Sequence, residues 1–74
     1  MAFYELKAEL AGMIAKIEKG IGDAISVDDT VMILESMKME IPVLSPRRGR
    51  LHEISVVEGQ AVQEGDALAL LELA

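Results

Sequence analysis

Ile33-Leu34-Glu35-Ser36-Met37-Lys38-Met39-Glu40-Ile41 joins two halves of a 74-residue chain that repeats itself. Moved along by 37 residues, without a gap, the sequence overlays on itself. Gly12 falls on Gly49, Ile17 on Ile54, Gly22 on Gly59, Ala24 on Ala61, Asp29 on Asp66, Leu34 on Leu71 and Glu35 on Glu72. Apolar residues match where identities do not: Ile14 with Leu51, Ile25 with Val62, Val31 with Leu68 and Ile33 with Leu70. The joining stretch, centred on Met37-Lys38, is therefore the connection between two units that fold alike.

Each unit reads as short strands and turns. Residues 12–17 and 49–56 place apolar side chains at alternate or near-alternate positions, the period of a half-buried strand. Glu18–Asp23 and Val57–Gln60 hold glycines that permit loop conformations, and Asp28-Asp29 and Glu64-Gly65-Asp66 read as the next turns. Residues 31–35 and 68–72 follow as equivalent strands. Turn signals at this spacing indicate an all-β sandwich or flattened barrel. A helix over residues 2–19 is the competing reading, because Ala, Glu, Leu and Lys favour helices. Gly12 interrupts it, and the matching stretch 39–56 carries Pro42, Pro46 and Gly49, which oppose a helix. The two units are expected to pack face to face and bury their apolar faces, with a tight hairpin at the junction that exposes Lys38 at its tip.

Composition narrows the class. The length points to a single domain spanning 1–74, with halves at about 8–37 and 38–74. There is no cysteine, so neither a disulfide nor a thiolate metal site reinforces the fold. Hydrophobic residues make up 51% of the chain, yet only Phe3 and Tyr4 are aromatic, so the core must be aliphatic. The net charge is −6, with acids in excess in both halves, which argues against nucleic acid as a partner. Arg47, Arg48 and Arg50 form the one basic cluster and read as a solvated loop. No apolar run approaches the roughly 18 residues that span a bilayer. Nor does the N-terminus show a basic segment followed by an apolar one. No membrane partner and a cytoplasmic location are the expectation.

Lys38 stands out chemically. An ammonium between two soft apolar side chains gains little as a structural element, whereas a lysine that is to be modified must be distinguished from its neighbours. The run Glu35-Ser36-Met37-Lys38-Met39-Glu40, with Ser45-Pro46-Arg47-Arg48-Gly49, Val57–Val62 and Gly65-Asp66, resembles the biotinyl/lipoyl attachment domain family over about residues 8–73. That resemblance implies a flattened barrel of two four-stranded antiparallel sheets with the modified lysine at a hairpin tip. It implies that Lys38 carries biotin, with Ser36, Met37 and Met39 completing the tip motif and Glu35 recognised by a basic ligase surface; Glu40 is a candidate for the same recognition. It also implies three partners: a biotin protein ligase, a biotin carboxylase using ATP and bicarbonate, and a carboxyltransferase of a biotin-dependent, acyl-CoA-type carboxylase. The chain is then a non-catalytic carrier subunit. Three departures from the family pattern are visible. Ser36 stands where alanine is commoner, Glu9-Leu10-Ala11 before Gly12 lacks the usual proline, and the loop 18–23 is too short for the protruding thumb of some carriers. The resemblance is to a minimal, free-standing, thumbless carrier.

Ordinary lysine amines titrate near 10.4 and are protonated at neutral pH, so a modifying enzyme must remove the proton. His52 reads as a surface strand residue. Asp28 and Asp29 read as a turn rather than a metal site, with Asp29 and Asp66 capping turns through backbone N–H groups. Two other readings stay open. A lipoyl carrier on the same fold usually shows Asp-Lys-Ala at the tip, against Met-Lys-Met here, and an unmodified adaptor module would show no change at Lys38. An autonomous enzyme is disfavoured for want of a nucleophile–base pair.

Overall fold

The structure, a computed structural model, describes residues 2–74. Eight strands follow in order: β1 (Phe3–Lys7), β2 (Gly12–Ile17), β3 (Ala24–Ile25), β4 (Thr30–Ser36), β5 (Met39–Leu44), β6 (Gly49–Ile54), β7 (Ala61–Val62) and β8 (Ala67–Leu73). There is no helix among the described residues. The helical reading of residues 2–19 gives way to β1 and β2. The strands form two four-stranded antiparallel sheets, ordered β1-β8-β6-β3 and β5-β4-β2-β7.

The internal repeat is carried into the architecture. Moved by 37 residues, Gly12–Ile17 falls on Gly49–Ile54, Ala24–Ile25 on Ala61–Val62 and Thr30–Ser36 on Ala67–Leu73. The same shift turns one sheet order into the other. Backbone bonds repeat with it: Asp28 N–H to Ser45 O matches Gly65 N–H to Ala8 O, and Gly22 N–H to Leu51 O matches Gly59 N–H to Ile14 O.

The expected face-to-face packing of the two halves is corrected. Each half sends two strands to each sheet, so the halves interlock rather than stack. Alternation shows which side of a strand is apolar but not which strand lies beside it. Two of the strands, β3 and β7, are only two residues long and leave no periodic signal. The core between the sheets is aliphatic apart from Met32, and includes Leu6, Ile14, Leu34, Leu51, Leu68 and Leu71. Tyr4 packs against it only partly buried. Ser45, buried at the repeat position of Ala8, is satisfied locally: its hydroxyl donates to Arg47 O at 2.7 Å and accepts from Arg47 N–H at 3.3 Å.

The turns are closed by matched side-chain caps. Asp29 Oδ2 accepts from Ser26 N–H and Asp66 Oδ2 from Gln63 N–H, each at 2.8 Å. Asp28 holds φ 71° where its repeat partner is Gly65 at φ 91°, so one left-handed turn position is filled once by aspartate and once by glycine. At Gly12 the requirement is space. A Cβ there would lie 2.5 Å from the Glu35 carbonyl oxygen, and one on Gly49 would collide with the Glu72 carbonyl.

Gly49→Ala is expected to cost about 2 kcal/mol or more, lowering the melting temperature by roughly 8 °C or more. Gly20→Ala, where a Cβ meets only the end of the Asp23 side chain, should change it little. Asp29→Ala and Asp66→Ala should each cost about 1 kcal/mol, by analogy with helix caps, and should match each other closely. Thermal melts of the four variants check both statements.

Candidate functional site

β4 is central to its sheet, paired with β2 on one side and β5 on the other. Its inward side chains, Met32 and Leu34, are buried. The pairing with β5 continues through Leu34↔Ile41 and Glu35↔Glu40 to a last rung, Ser36↔Met39. Only Met37 and Lys38 remain to reverse the chain. Both have left-handed backbones, φ 53° and φ 66°, as a two-residue hairpin loop matched to strand twist requires. Loops of this kind favour Asn-Gly, and an L-residue in this conformation costs about 1–2 kcal/mol. Neither Met37 nor Lys38 offers relief, and this strain leaves no trace in residue type.

The residues singled out from the sequence fall into two groups at this tip. Lys38, Met37 and Met39 project into solvent, and Met37 is nearly fully exposed. Ser36 is half-buried beneath the turn, so it supports the tip rather than forming its outer surface. Glu35 and Glu40 are exposed and directly opposite one another, a like-charge pair that disfavours the hairpin. The register adds Met13, which pairs with Glu35 from β2. Met13, Glu35 and Glu40 thus form one row across three strands. Sequence reading missed that row: Met13 alternates with the apolar Ala15 and Ile17, and only the bulge between Ile14 and Lys16 separates it from the inward pattern, leaving Met13 exposed while Ile14 is buried.

The ion pairs among the described residues join Lys7 to Glu5 and Lys16 to Glu18, both at the surface, and leave the Lys38 amine free of a carboxylate within 4.0 Å. A cleft of about 210 Å³ opens between the edge strands β1 and β5, lined by Leu6, Leu10, Ile41 and Val43 among others. No residue from 35 to 40 lines it. The tip is convex: it can present a group attached to Lys38 but cannot enclose a substrate. Among the described residues no three His, Cys, Asp or Glu side chains converge on a possible metal position. His52 is exposed, its ring 5.2 Å from that of Phe3. Arg47 and Arg48 lie beyond the far end of β5, about 20 Å of strand from the tip. Arg50 is tied down by a hydrogen bond to Gly22 O at 2.5 Å. Among the described residues no helix is long and apolar enough to cross a membrane.

An amine on an exposed turn, with no enclosing pocket, fits amide attachment of a prosthetic group. Comparison with known proteins shows the family. The family model described as "Biotin-requiring enzyme" matches residues 7–71. The chain is 37% identical over 67 residues to the biotinylated protein TB7.3 homolog of Mycobacterium leprae, covering 90% of this chain and 94% of that one. It is 46% identical over 60 residues to the biotin/lipoyl attachment protein of Bacillus subtilis, covering 81% of this chain and 82% of that one. The urea carboxylase of Kluyveromyces lactis contains a region that superimposes with a TM-score of 0.91 at 29% identity, covering 97% of this chain and 6% of the carboxylase. The chain belongs to the biotin/lipoyl attachment domain family.

Proposed function

We propose that the chain is a biotin carboxyl carrier, a single domain whose Lys38 is joined to biotin by a biotin protein ligase. The observation that carries the reading is Lys38 exposed on a two-residue turn between two outward-facing methionines, in a chain of this family. In the attachment step the neutral Lys38 amine would attack the acyl carbon of a biotin activated as its adenylate, with AMP as the leaving group. The new C–N bond forms, the bond to the activating group breaks, and the amine gives up its proton. When bound, biotin supplies a carboxyl group in transit between a biotin carboxylase and the carboxyltransferase of an acyl-CoA-type carboxylase. The chain's own work is positional. The β4–β5 hairpin holds the Lys38 backbone in one place while the side chain stays free to swing. Met37 and Met39 give a ligase an apolar grip on either side of the amine, and Glu35 and Glu40 offer two carboxylates to a basic surface. No residue of the chain acts as acid or base in the transfer itself.

A lipoyl carrier is the second reading. The Bacillus subtilis relative bears a name covering both groups, and the fold presents either equally well. Met37 and Met39 favour biotin.

Incubation with biotin, ATP and a biotin ligase is expected to add one biotinyl group by intact mass, and none to Lys38→Arg. A folded protein that accepts no biotin from an active ligase, but accepts lipoate from a lipoyl ligase, would overturn the reading in favour of the lipoyl one. A second prediction follows from the strained turn. Replacing it by the favoured pair, Met37→Asn with Lys38→Gly, is expected to stabilise the protein by about 1 kcal/mol, raising the melting temperature by roughly 4–8 °C. The same variant should accept no biotin. A melting temperature unchanged or lowered would show that the turn stores no strain.

A further inference from the structure

The five methionines are distributed unequally between core and water. Met32 is fully buried at 0% exposure and does the usual work of a flexible gap-filler. Met13, at the edge of the tip, is 40% exposed. Met39 is 65% exposed and Met37 is 92% exposed, so their thioethers have water on most sides. The chain has no cysteine and no tryptophan, which leaves thioether sulfur as its softest group towards two-electron oxidants. The two most exposed methionines among the described residues are the ones that flank Lys38.

We propose that Met37 and Met39 are a reversible oxidation site that turns off modification of Lys38; the switching half rests on the carrier reading above. A sulfur lone pair attacks one oxygen of hydrogen peroxide. An S–O bond forms, the O–O bond breaks, and the departing hydroxide is protonated to water. Sulfur is oxidised by two electrons and peroxide is reduced, giving one sulfoxide and one water for each thioether and each peroxide. The product is polar where the thioether was apolar. An apolar grip on both sides of the amine becomes a hydrated one, and a ligase closing on the tip has to strip that water away. Met37 is the stronger site because its left-handed backbone holds it at the turn, clear of the sheet. Methionine sulfoxide reductases, one for each epimer, return the thioethers at the expense of an external dithiol, which is oxidised to a disulfide while the sulfoxide oxygen leaves as water, so the change is reversible.

The test treats the intact chain with graded hydrogen peroxide, maps sulfoxides by peptide mass, and follows biotinylation by a biotin ligase before and after. Met37 and Met39 are expected to oxidise first, Met13 later and Met32 last. The oxidised protein should be biotinylated at least about tenfold more slowly and recover after treatment with methionine sulfoxide reductases of both stereospecificities. Met13→Leu should lose and regain biotinylation in the same way, placing the effect at the tip. Circular dichroism of the oxidised protein should remain that of the folded chain. Oxidation of Met32 as fast as Met37 would overturn the oxidation site. An unchanged rate of biotinylation after Met37 and Met39 are oxidised would overturn the switch. Failure of the unoxidised protein to accept biotin would overturn the carrier reading and the switch with it, while the order of oxidation still decides the oxidation site.

Discussion

The pairing of β4 with β5 runs unbroken to Ser36 and Met39, and the rest of the site depends on that constraint. It leaves two residues for the reversal, and strand twist forces both into the left-handed region. Met37 and Lys38 meet this demand without the glycine or asparagine that would ease it. A turn built this way holds its shape only because the strands on either side are held more strongly. β4 supplies that hold. It is paired on both edges and its inner face is buried through Met32 and Leu34. Rigidity at the base and freedom in the side chain are thus separate properties, one given by the sheet and the other by the exposure of Lys38.

The interlocked halves explain how so small a chain supplies such a base without aromatic mass in its core. Each half contributes two strands to each sheet, so neither half completes a sheet alone. Long-range backbone bonds then do what a larger core would otherwise do. Ala8 and Asp66 lie far apart in sequence and are tied at 2.9 Å, and Ser45 and Asp29 are tied at the same distance by the equivalent bond. The close approach of Gly12 to the Glu35 carbonyl belongs to the same economy of space: β2 can lie against the end of β4 only where no side chain intervenes.

Much of this was legible in the residues. The 37-residue repeat located the turns, the paired glycines and the junction, because glycine and alternation are local signals and survive without knowledge of neighbours. The exposed Lys38 followed from symmetry, as the joint between like units. The sheet partners were not legible, since identical alternation serves stacked or interlocked halves equally well. β1 was ambiguous because its residues also suit a helix; its match to β5, which contains Pro42, was the clue that it is a strand. The left-handed backbone at Met37 was invisible, because the residue that reports such a turn is normally glycine or asparagine. Asp28 illustrates the opposite case, where the repeat partner Gly65 does report the conformation.

What the fold alone does not account for is concentrated at the tip. Glu35 faces Glu40 across the hairpin, where opposite charges or a β-branched pair would hold the strands better. Two methionines sit in water, where their apolar surface gains nothing. Two L-residues occupy a conformation that glycine takes without cost. Each of these works against the stability of the hairpin, and all of them lie within Glu35–Glu40 around one lysine. Local conflict with an otherwise consistent fold is the physical mark of a functional surface. For the carrier we propose, it is also where selectivity between prosthetic groups resides, because the barrel beneath carries either one. The choice has to be read from the side chains around Lys38, and in this chain those are thioethers and carboxylates.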